Sequence, residues 1–264
     1  MKLISRLKIS KRQRFIITSI ALSLGFIGIQ FLDERFRMLG IASLGVASLI
    51  LFFWSLKEGM GFNMTLVTLI LPFFYTIGVG LFWFLIPSSI YARIPVVILF
   101  GFGIYALCLT ANIFTVSAIR TIALLRAARG VGFVLTLVTI FLIFDAILSL
   151  RAGILINSLL IFFSSLPIFF QGFWTVILSR EFRFNSLFFS LVSSLAIGEI
   201  AISLFFWPVT VVVGSLFLTV AAYVLLGLGQ AEIDSRLFKQ TAREYLTVGL
   251  LVFIGMFLAT RWGG

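Results

Sequence analysis

The stretch VGFVLTLVTIFLIFDAILS, residues 131–149, decides the fold. Among its nineteen positions only Asp145 carries charge. A helix rises about 1.5 Å per residue, so the run reaches about 28 Å, close to the hydrocarbon thickness of a bilayer. Backbone groups left unpaired in lipid are costly, so such a run crosses as a helix.

Working outward, similar runs bounded by charges or helix breakers recur on both sides. They predict an all-α polytopic transmembrane helix bundle of about nine spans. The spans fall at about 15–32, 38–56, 64–86, 95–119, 131–149, 154–178, 186–206, 209–229 and 245–260. Pro87 closes the third. Pro95 and Pro208 suit the first turns of the fourth and eighth, where a missing N–H is harmless. Nothing between the spans is long enough for a soluble domain, so residues 1–264 read as a single integral membrane domain.

Composition agrees. The chain is 61% hydrophobic, with a mean hydropathy of +1.22 and 32 Phe. Charged residues make up 11%, too few to cover a water-soluble surface. The net charge of +11 does not indicate nucleic acid, because the bases are scattered through loops beside apolar runs. It indicates orientation. With the N-terminus inside, 15 of the 20 Lys and Arg fall on inside segments. The other five are Arg35, Arg37, Arg93, Arg151 and Arg261. The expectation is N-in/C-out in a bacterial cytoplasmic membrane, with anionic headgroups meeting the inner bases. A re-entrant hairpin formed by spans 7 and 8 would move the C-terminus inside. The basic N-terminus resembles a signal peptide, but its apolar run is long and lacks a small-x-small cleavage site, so it reads as an uncleaved span.

Two inside connections read as helical. Arg120, Arg126 and Arg129 would lie on a basic extension of span 4. Residues 231–245 pair Glu232 with Arg236 at i,i+4 and predict a short helix on the inner surface.

Polar residues fall in stripes. Span 4 aligns Gly101, Tyr105, Cys108, Asn112 and Thr115; span 6 aligns Asn157, Ser164, Gln171 and Thr175; span 3 aligns Thr65, Thr68, Pro72, Thr76 and Trp83. Such faces meet other helices or line a cavity. In span 7, Ser190, Ser194 and Gly198 form a small-residue seam, with Glu199 opposite, which predicts a helix covered on two sides near the bundle centre. Asp145 is expected to reach the interface or to pair with Arg151 or Arg93. Ala21 and Gly25 in span 1 offer a weaker packing signal.

Several chemistries are excluded. There is no His, so haem ligation and zinc sites through His are absent. Cys108 is the single cysteine, and no intramolecular disulfide is possible. No Lys lies in mid-span, and no nucleotide-binding glycine pattern stands in a suitable context. No cofactor or metal is expected.

The leading expectation is a small-solute or proton-coupled carrier or channel with a polar core of Asn112, Asn157, Gln171 and Glu199. The alternative is a non-catalytic scaffold or assembly subunit, with a homo-oligomer or another membrane protein as partner. A third reading starts from Asp33-Glu34, directly after span 1. This resembles the acidic pair of multi-span lipid-linked-sugar glycosyltransferases, where such a carboxylate acts as base or metal ligand. Here the first loop is about five residues, far shorter than in that family. Leu71-Pro72-Phe73-Phe74 and Leu166-Pro167-Ile168-Phe169-Phe170 would fit an inverted repeat of spans 3–5 and 6–8, although in a chain this rich in Phe and Leu coincidence is the favoured reading. Finally, Tyr105–Phe133, with Asn112-Ile113-Phe114 and Ala118-Ile119-Arg120-Thr121-Ile122, resembles a family of uncharacterised bacterial multi-pass membrane proteins. The resemblance extends over the N-terminal two-thirds and implies no activity.

Overall fold

The computed structural model describes residues 10–56, 62–86, 89–117, 123–178 and 184–260. Pro87, Lys57, Arg120, Arg180, Arg183, Arg261 and the basic residues before Ser10 lie outside them, as do the side chains of Glu34 and Thr65. Among the described residues there are nine α-helices and no strand: α1 (Lys11–Ile29), α2 (Glu34–Leu56), α3 (Phe62–Phe82), α4 (Ile90–Ser117), α5 (Leu125–Ser149), α6 (Ile154–Ile177), α7 (Phe184–Phe205), α8 (Val211–Ile233) and α9 (Lys239–Ala259). Each is long and apolar enough to cross a bilayer. That holds for α7 and α8 separately, at 22 and 23 residues.

Local chemistry sets the ends. Ser10 caps α1 through a reciprocal box with Gln13, and Thr210 caps α8 by accepting from the Val213 N–H. Three boundaries differ from the sequence reading. The α4 helix begins at Ile90, so Pro95 sits inside it. It ends at Ser117, and Arg126 and Arg129 open α5 instead of extending α4. No surface helix spans 231–245. The α8 helix runs to Ile233, Ser235 turns through a left-handed φ of 56°, and α9 starts at Lys239. Arg236 there pairs with Asp234 at 3.3 Å, two residues away, because the turn breaks the helical spacing that Glu232 would need.

Every described Lys or Arg within a helix lies in its first five residues, as Arg14, Arg37, Arg93, Arg129 and Arg243 illustrate. The helix dipole favours cations at the opposite end. Snorkelling explains the reversal: the Cα–Cβ bond tilts toward the helix N-terminus, so a long side chain there leads out to the interface, and at the C-terminus it would lead into lipid.

Two buried cores divide the bundle. One joins α1–α4 around Leu22, Phe26, Phe52, Phe100 and Ile104. The other joins α5–α8 around Phe144, Ile161, Phe169, Phe173 and Leu218. A smaller cluster of Val67, Phe114, Ala128 and Trp174 links them near the start of α5. The cores therefore divide the chain between α4 and α5, although α3 also packs on α5, where Gly78 lies against Leu142 and Ile143. The α9 helix packs on α8, and Met256 is its one buried residue.

The polar stripes do turn inward. Thr68, Thr76, Cys108, Thr115, Asn157, Gln171 and Thr175 are buried. Most of their hydroxyls are closed within their own helix: Thr76 donates to the Pro72 carbonyl, Thr115 to Asn112 and Thr175 to Gly172. The seam Ser190, Ser194 and Gly198 is buried. At Gly198 it meets α6, where Ser158 donates to the Gly198 carbonyl at 3.2 Å, while Ser190 donates to Ser186 in its own helix and the Ser194 hydroxyl meets no partner among the described residues. Ala21, by contrast, is exposed, and Gly25 packs against Leu44.

Candidate functional site

The connection 30–33, Ile86, Ser89 and the helix ends beside them gather at one end of the first half, here called the Asp33 end. A cavity of about 220 Å³ opens there. Its walls are the last turn of α1 (Phe26, Gln30), the first turns of α2 and α4 (Arg37, Arg93) and the end of α3 (Gly80, Trp83). Antiparallel packing brings these ends together, and placement of bases in first helical turns puts both arginines at this rim.

The two arginines are held differently. Arg37 spends its Nε on the Leu32 carbonyl at 3.0 Å. The Arg93 guanidinium lies over the Trp83 ring, 5.0 Å from its centroid. Its buried Nε meets no hydrogen-bond acceptor among the described residues. Beneath Trp83 an aromatic column continues into the core: Trp83 meets Phe26 edge-on at 5.1 Å, Phe26 meets Phe100 at 5.0 Å, and Phe100 stacks on Tyr75 at 5.9 Å. The floor that positions Arg93 is thus rigid.

Gln30, Trp83 and Arg93 also line a second space of about 470 Å³, whose other walls are Ile27, Ile94, Val97 and Ile98. Val97 and Ile98 in turn line a third of about 430 Å³, between Ile16, Ile20 and Leu24 of α1 and Gly101, Phe102 and Tyr105 of α4. The seam between these two helices is drawn close by Ser19, which donates to the Gly101 carbonyl at 2.6 Å. Shared walls make a continuous surface. It starts polar and cationic at Arg93 and runs apolar toward Tyr105, twelve residues or about 18 Å deeper. This shape takes an anionic head at one end and an alkyl chain along the rest.

A cavity of about 440 Å³ marks the second half, where α5 and α7 end and α6 and α8 begin. Arg151, with a left-handed φ of 48°, and the buried Asn157 line it together with Trp207 and Gly214. Asn157 donates to the Ala152 carbonyl at 3.2 Å, and its buried Oδ1 accepts nothing among the described residues.

The four residues expected to form a polar core are not gathered. Asn157 and Gln171 share a face of α6, but fourteen residues separate them, about 21 Å along the axis. Gln171 is buried near the far end. Asn112 is half-buried near the end of α4. Glu199 is exposed on the outside of α7, so this helix lies at the periphery and is covered on one side only. A stripe is a line along a helix, and periodicity does not bring its members to one depth. Asp145 departs from expectation in the other direction. It is 3% exposed and accepts from the Ser215 hydroxyl at 2.9 Å, without reaching an arginine or the interface. Asp33 is exposed between Gln30 and Arg37 and lines none of these spaces. Among the described residues no His, Cys, Asp and Glu cluster could hold a metal.

Sequence reasoning missed Arg37 and Arg93 as site residues, although it held the signal. Of the five bases that break the charge bias, Arg37, Arg93 and Arg151 line cavities.

Residues 17–259 match the family model described as Protein of unknown function (DUF5656), well beyond the N-terminal two-thirds in which the resemblance was read. No curated protein and no solved structure matches the chain.

Proposed function

The chain belongs to the DUF5656 family of proteins of unknown function, and from that premise we propose that it is a membrane protein that binds a lipid with a net-anionic phosphate head. The head sits between Arg37 and Arg93, and the chain lies in the seam of α1 and α4. The observation that carries this reading is the sharing of Gln30, Trp83 and Arg93 between the cationic cavity and the apolar groove. Guanidinium groups bind phosphate through paired, charge-assisted N–H donors, and a partly desolvated one gains more from it. The charge bias supports an outer-side position for the Asp33 end, and in that orientation the lipid would come from the outer leaflet.

Native mass spectrometry of the protein in mixed-lipid nanodiscs tests this. Phosphatidic acid should be retained at least ~10-fold over phosphatidylcholine, and Arg93→Ala should remove most of that preference. Equal retention of both lipids by the wild type, or an Arg93→Ala variant that keeps the preference, would sink the proposal.

A transferase acting on a lipid-linked sugar is a second reading that rests on the sequence position of Asp33 between Gln30 and Arg37, since its exposed side chain lines none of these cavities. It requires Asp33→Asn to abolish turnover of a polyprenyl-phosphate sugar while leaving lipid retention intact. The carrier reading draws no comparable support, since of its four residues only Asn157 lines one of the cavities described and Glu199 is exposed on the outside of α7.

A further inference from the structure

Glu199 occupies a position that lipid alone does not suit. At about 100° per residue, Phe188, Val192 and Leu195 fall within about 40° of it on α7. All three are exposed apolar side chains, so Glu199 stands in the middle of the lipid-facing stripe. It lies six residues before the end of α7 at Phe205, about 9 Å below that end. Its Cα–Cβ bond tilts toward the helix N-terminus, away from the nearer water, which hinders snorkelling. Among the described residues its carboxylate has no hydrogen-bond or ion-pair partner; only its backbone carbonyl is used, by Ser203. Intramembrane carboxylates ordinarily face a bundle interior or a wet cavity. Beside this stripe, Ala196 and Ile200 open onto a groove of about 530 Å³ shared with Ala221 of α8 and Gly249 of α9. Ala196, Ala221 and Gly249 open the groove between larger apolar walls such as Phe217, Leu250 and Phe253.

We infer that the outer face of α7 and its groove with α8 and α9 dock a transmembrane helix of another protein, one that presents a Lys or Arg to Glu199. Charge complementarity selects this occupant. Among the described residues, the bases within helices all lie in the first five positions, nearer to a helix end than Glu199 and with side chains that lead outward, which favours another protein over a second copy. The inference is independent of the lipid site, which lies on α1–α4.

The test places a benzophenone amino acid at Leu195 in the full-length protein, in membranes of the cells that make it. Illumination should give an adduct with a different membrane protein, and the attached peptide should map to a transmembrane segment with a Lys or Arg at hydrocarbon depth. Glu199→Leu should reduce the adduct at least tenfold, and Glu199→Asp should retain it. Because Leu suits lipid, purified Glu199→Leu protein should melt no lower than wild type, which separates lost docking from misfolding. Adducts with lipid alone, with a second copy, or with a segment lacking such a base would overturn the inference. So would an adduct that survives Glu199→Leu.

Discussion

At the scale of single residues, close approach decides where substitution is tolerated. A Cβ on Gly103 of α4 would run into the Tyr75 ring of α3, which is held by stacking on Phe100 and by donation to the Leu99 carbonyl at 3.2 Å. Gly103→Ala is expected to lower thermal stability in detergent by about 1–3 kcal/mol, as overpacking does. At Gly198 the nearest contact would be ordinary, 3.6 Å to Phe162, so Gly198→Ala should leave the melting temperature nearly unchanged. Ser215→Ala removes the described partner of the Asp145 carboxyl and should cost about 1–3 kcal/mol in the same measurement. An unchanged melting curve would show that Asp145 finds another donor. Residue identity alone could not place Asp145 or Glu199. Both are acidic and intramembrane, yet one is sealed between α5 and α8 and the other looks outward. The difference lies in which helices pack beside them, which composition does not encode.

At the scale of elements, periodicity told which faces turn inward. Most of the stripes of α3, α4 and α6 turn inward, with Gly101, Tyr105, Asn112 and Ser164 half-buried, and the α7 seam meets α6 at Gly198. Depth was the missing coordinate, because a repeat of 3.6 residues carries no information about where along the axis partners meet. The α9 helix shows a related limit. Its apolar sequence reads as a span like the others, but it rests on α8 with little else. Trp207 holds its far part through edge contacts with Phe253 at 5.7 Å and Phe257 at 6.3 Å. Trp207→Ala should therefore raise amide hydrogen exchange in the last two turns of α9 and leave α1–α4 unchanged. Uniform change across the protein would show that α9 is integral to the core.

For the whole molecule, span number and helical class were legible because hydrocarbon thickness and backbone hydrogen bonding leave little choice. Orientation is open to a direct check. Cys108 is buried, so a cysteine at exposed Phe31 or exposed Ala127 should be the reactive one in each variant. A membrane-impermeant maleimide added to intact cells should label Phe31→Cys and spare Ala127→Cys; the reverse pattern would invert the proposed orientation. The site was less legible. The charge tally counted Arg37, Arg93 and Arg151 as exceptions to a bias, and only the meeting of four helix ends shows what they have in common.

The division into two cores has a consequence in time. Helices leave the ribosome in order, at ~5–20 residues per second in general, and parts able to close on themselves do so before later parts exist. Nearly all of the first core comes from α1–α4, with Leu142 of α5 as its one later member. The first half, with its arginine-lined cavity, can thus assemble while the second is still being synthesised. Two polypeptides covering 1–120 and 121–264, made together, should then reassemble into a complex with the retained lipid of the intact chain.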